Sequence, residues 1–105
     1  INSNAVAGET PTFSATDTGT TNSYGSCSVT NASGVSTCTM TSLKAETKVL
    51  SIATPVVKAD GSVIFTAGAP VVANSSITGT TPVIADGSST STVTINLADV
   101  NNNPV

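Results

Sequence analysis

At 105 residues with 38% hydrophobic residues, the chain has material for one modest core and not for two. Three basic residues against six acidic ones, a net charge of −3, leave no patch able to neutralise a run of phosphates, which excludes nucleic acid as a partner. The absence of His excludes Ser-His, Cys-His and most zinc chemistries, and no apolar run approaches the roughly 20 residues of a membrane span, so no membrane insertion by this segment is expected.

In chain order, Phe13 and Ala15 alternate with Thr12 and Ser14, the period of a strand with one buried face, and Asp17-Thr18-Gly19 follows as a turn. A four-residue loop at Asn31–Gly34 would pair Thr30 with Val35, Val29 with Ser36 and Ser28 with Thr37. Cys27 then falls opposite Cys38, within reach of a structural disulfide that requires an oxidising compartment. Ser42–Lys48 is short enough for a single helical turn, but its Thr residues favour a strand or a corner. Leu50 and Ile52 alternate with Val49 and Ser51, Asp60-Gly61 reads as a turn, and Val63 and Phe65 flank Ile64. Asp86-Gly87 is a further turn. Val93, Ile95 and Leu97 alternate with Thr92, Thr94 and Asn96, and Asn101-Asn102-Asn103-Pro104 ends the series. Pro11, Pro55, Pro70 and Pro82 fall at strand margins, where a missing N–H is tolerated.

About seven short strands with turn signals roughly every ten residues predict an all-β sandwich. Its core would be built from Phe13, Val29, Met40, Leu50, Ile52, Val63, Phe65, Val93, Ile95 and Leu97. The six carboxylates lie mostly in turns, where an Asp bonds its own backbone, so the chain is not read as an enzyme and no cofactor is expected. Lys44, Lys48 and Lys58 read as exposed, with an internal isopeptide to an Asn as the sharper alternative. Asp99, Asn101 and Asn103 have the one-three-five spacing of part of a calcium loop, but the single carboxylate favours an Asx-rich corner over a calcium site. Ile1-Asn2-Ser3-Asn4-Ala5-Val6 also lines up with Val100-Asn101-Asn102-Asn103-Pro104-Val105, which suggests a tandem or permuted repeat.

Four segments carry a family resemblance. They are Val83–Ile95 with its Ala85-Asp86-Gly87 turn, Ala98-Asp99-Val100-Asn101-Asn102-Asn103-Pro104-Val105, Asn4–Ser14 and Asn31–Ser42. Together they resemble the bacterial immunoglobulin-like repeats of invasin and intimin type adhesins in a permuted frame, with Asn102 in place of the usual Gly of the corner. The resemblance implies an immunoglobulin-like Greek-key β-sandwich. Residues 1–70 supply its closing strands, 71–75 a linker and 76–105 its opening strands, completed within the chain or by strand exchange with a neighbouring subunit. It also implies a structural repeat of a bacterial cell-surface adhesin stalk or extracellular filament, exported through an oxidising compartment, with neighbouring copies as partners. The alternative is a ligand-binding module recognising a host receptor or glycan, against which the lack of Trp and the single Tyr24 argue.

Overall fold

The computed structural model describes residues 2–105, which divide into two compact units meeting between Thr66 and Ala67. All regular structure is antiparallel β apart from one short 3₁₀ turn.

The first unit holds β1 (Thr12–Ala15), β2 (Asn22–Tyr24), β3 (Met40–Ser42), β4 (Thr47–Thr54) and β5 (Lys58–Ile64). Strands β1, β4 and β5 form one sheet with β4 central, and β2 pairs with β3 in a second. Strand β4 is the longest because Thr47–Thr54 is rich in β-branched residues. It ends where Pro55, lacking an N–H, follows a cis Thr54–Pro55 bond. Phe13 pairs with Ile52 and Ala15 with Leu50, so the alternation of β1 and that of β4 are in phase.

Asp60-Gly61 is not the turn that its sequence suggests. Strand β5 runs through it, and the β4–β5 register shifts by one between Val49 and Ser51, a bulge at which Gly61 takes φ +82°. The reversal is made instead by Pro55, Val56 and Val57.

The Cys27–Cys38 hairpin is also shorter than its alternation implies. Ser28 N–H donates to the Thr37 carbonyl at 2.9 Å, the expected register, but Gly25 N–H donates to the Thr39 carbonyl at 2.7 Å, one residue out of step. At the tip, Asn31 N–H bonds the Val35 carbonyl. Thr30 is drawn to the N-terminal segment instead: its N–H donates to the Glu9 carbonyl at 2.8 Å and its carbonyl accepts Gly8 N–H at 3.1 Å. The ladder is therefore regular only over β2 and β3.

The second unit holds a 3₁₀ turn at Val72–Asn74, β6 (Ser76–Gly79), β7 (Val93–Asn96) and a bridge between Ala98 and Pro104. Ile77 pairs with Ile95 and Gly79 with Val93, and Thr80 N–H extends the ladder to the Thr92 carbonyl. The long connection between the strands is pinned at Asp86, whose carboxylate accepts the N–H groups of Ser88 and Ser89.

The closed sandwich core is the expectation that fails. Among the described residues no apolar side chain is buried; Phe13, Met40, Leu50, Val63 and Phe65 are half-buried, while Val29, Ile52, Val93, Ile95 and Leu97 are exposed. The physical reason lies in the topology: a sandwich needs two sheets laid face to face, and sheets of three, two and two short strands leave each apolar face without a full-width partner.

Candidate functional site

The apolar residues of the first unit converge on a cleft of about 390 Å³, walled by Phe13, Met40, Leu50, Ile52 and Val63 with Cys38 at its rim. The walls come from β1, β3, β4 and β5, so both sheets of the unit contribute. Phe13 and Tyr24 meet edge to face, ring centroids 5.2 Å apart, and tie β1 to β2. Tyr24 Oη fixes that contact by accepting the Ala15 N–H and donating to the Ala15 carbonyl, each at 3.1 Å. The ring of the one tyrosine thus packs on Phe13 while remaining exposed.

Cys27 and Cys38 form a disulfide with Cα atoms 4.3 Å apart. That spacing belongs to a non-hydrogen-bonded cross-strand pair, the position next to the hydrogen-bonded Ser28–Thr37 pair. Both cysteines stand opposite each other as counting from the Asn31–Gly34 loop places them, although the ladder around them is distorted. The bond is consistent with an oxidising compartment. Among the described residues no helix is long and apolar enough to cross a membrane.

The three lysines divide in a way that sequence reading missed. Lys48, expected at the surface, has 0% of its side chain exposed. Its Nζ lies 2.6 Å from Glu46 Oε2, 3.5 Å from Asp17 Oδ1 and 3.4 Å from the Thr16 carbonyl. Burial pushes Lys48 toward the neutral form, but the hydrogen bond and charge of Glu46, with those of Asp17, outweigh it and raise its pKa. Glu46 is lowered to about 2 by the Lys48 hydrogen bond first and by Thr18 second. Asp17 is lowered to about 2, chiefly by the Thr21 hydroxyl and then by the backbone N–H groups of Asn22 and Thr21. Beside them Asn22 Oδ1 is buried without a protein partner. The only sequence signal for this cluster was Glu46 two residues before Lys48, which in a strand places both side chains on one face.

Asp99 and Asn103, 4% and 6% exposed, are the other buried polar residues among those described. The Asp99 carboxylate accepts the N–H groups of Gly68, Asn101 and Asn103, each at 2.9 Å, and Asn103 Nδ2 at 3.0 Å. Its pKa falls to about 2, led by the Asn103 side chain and then by Gly68 N–H. The oxygens of Asp99 are thereby committed to the chain's own donors. Asn102 sits at φ +63° as the left-handed residue of this corner. The arrangement is that of an Asx-rich corner.

These features define an all-β, disulfide-bonded chain with an apolar cleft and two polar latches. No protein-family model, no curated protein and no solved structure matches it.

Proposed function

We propose that this chain is a non-enzymatic structural repeat of a bacterial cell-surface adhesin stalk or extracellular filament, joined head to tail to further copies of itself. Each repeat would close into an immunoglobulin-like Greek-key sandwich.

One observation carries the reading. Only two non-glycine residues among those described have positive φ, Ser3 at +57° and Asn102 at +63°. They stand 99 positions apart (3 and 102), at matching places in the two similar segments Asn2–Val6 and Asn101–Val105. A left-handed Ser is uncommon, because a side chain in that region crowds the following carbonyl. Its coincidence with the left-handed Asn of the second segment supports the same corner occurring twice, one domain length apart, which is the signature of a tandem array.

A hydroxyl-rich surface, antiparallel ladders and a disulfide suit a load-bearing spacer, and no described feature favours a receptor-binding module over it. The test is thermal unfolding of two copies joined in the 99-residue frame against one copy. A tandem repeat must melt at a higher temperature and more cooperatively, because the junction completes a domain that a single copy leaves open. Superimposable curves for the two chains refute the reading.

A further inference from the structure

We propose that the apolar cleft of the first unit is a docking groove for the β6–β7 hairpin of a second copy of this chain. The partner's identity rests on the repeat reading above.

Each side of the proposed interface lacks what the other presents. Phe13, Met40, Leu50, Ile52 and Val63 wall an apolar cleft, most of them only half-buried, and Asp60 is the only charged residue on its walls. The β6–β7 hairpin is a two-stranded ribbon with no buried residue, and two strands alone are marginal in water. Val93 and Ile95, 56% and 60% exposed, share one face of β7, alternating with Thr94 and Asn96, and Ile77 stands opposite Ile95. Between Ser76 and Leu97 the only charge is Asp86, in the loop and away from both strands. Docking one on the other would bury two apolar faces without burying an ion.

The recurring corner says which hairpin belongs there. The left-handed corner at Asn102 follows β7 directly, and the matching corner at Ser3 opens the first unit. If the 99-residue repeat continues, a β6–β7-type hairpin stands immediately before each first unit. A second copy supplies that element in trans, in the manner of strand complementation. The contact is heterologous, groove of one copy to hairpin of the next, so it propagates as an open chain of copies rather than closing as a two-fold dimer.

The test uses two full-length variants at exposed positions: Ile52→Asp, which spoils the groove and leaves the hairpin, and Ile95→Asp, which does the reverse. The unmodified chain is expected to associate with rising concentration by light scattering. Each variant alone loses association more than about 100-fold, since its carboxylate would have to enter an apolar contact. Their equimolar mixture recovers a complex of two chains, because one intact groove meets one intact hairpin. A mixture that stays monomeric, or an unmodified chain that stays monomeric at every concentration, overturns the proposal. So does self-association of either variant at the unmodified strength. To keep the result independent of the variants' folding, Ile52→Cys and Ile95→Cys chains are mixed and treated with a short bismaleimide. Cross-linked heterodimer in excess over either homodimer is expected, and statistical proportions overturn the docking. Failure here with a raised melting point for the tandem chain removes the groove alone; failure of both removes the repeat reading with it.

Discussion

At the residue scale the molecule is held by polar side chains that bond their neighbours' backbone. Asp17, Glu46, Asp86 and Asp99 are all lowered to about 2 from 3.8 or, for Glu46, from 4.5. A carboxylate whose folded pKa is depressed contributes stability that is complete above its unfolded pKa and is lost as pH falls toward the folded value. The melting midpoint is therefore expected to be level at mildly acid pH and to drop between about 4.5 and about 2. Lys48, raised above 10.5, contributes the opposite way: its share is present below that pH and fades as pH rises through the higher folded value. Lys48→Met is expected to remove the alkaline dependence and to shift the acid limb, since Glu46 then loses the first cause of its lowered pKa; pH-dependent thermal scans check both. Asn102 allows a second contrast. Asn102→Gly is expected to be neutral within about 0.5 kcal/mol, whereas Asn102→Val, β-branched at φ +63°, costs about 1–2 kcal/mol in denaturant titration.

At the scale of elements, the hairpins carry the order of the first unit. Gly25 lies where β2 leaves its ladder, and an added Cβ would collide with Thr39 Oγ1 and crowd the Thr39 carbonyl at 3.1 Å. Gly25→Ala is expected to destabilise by about 1–3 kcal/mol, read as a lower urea midpoint at unchanged slope. The Cys27–Cys38 bond closes a loop with a sequence separation of 11 residues. By the chain-entropy account, Cys27→Ser with Cys38→Ser should cost about 2–3 kcal/mol, and reduction of the unmodified chain should cost the same in that titration. Much at this scale was legible beforehand. Cys27 opposite Cys38 followed from counting outward from the Asn31–Gly34 loop, and β1, β4 and β7 followed from alternation. Asp60-Gly61 misled because a bulge and a turn use the same left-handed glycine, and only the register of the partner strand tells them apart.

At the scale of the whole molecule, the absence of any buried apolar side chain among the described residues is the fact with the widest consequence. Net stability is a small difference between large terms, and apolar burial is the main favourable one. A chain with its apolar faces open is stabilised chiefly by finding cover, which is why assembly, rather than chemistry, is the function proposed. If repeats of this chain form a stalk, pulling a tandem array is expected to give evenly spaced unfolding events. Each should release roughly 300 Å, and roughly 40 Å more after reduction frees the segment between Cys27 and Cys38. Irregular spacing, or no change on reduction, would contradict repeats locked by that bond.

By itself the sequence determined the secondary-structure class, the disulfide partners and the self-similarity of the ends. The self-similarity is read by comparing two short segments directly, and the others depend on residues close in the chain or on a fixed period of two. Only the tertiary structure decided that Lys48 is buried against Asp17 and Glu46, that Thr30 pairs with the Gly8–Glu9 segment and that the sandwich core stays open. Those outcomes are contacts between distant segments. Alternation tells which face of a strand is apolar, but not what will come to lie against it.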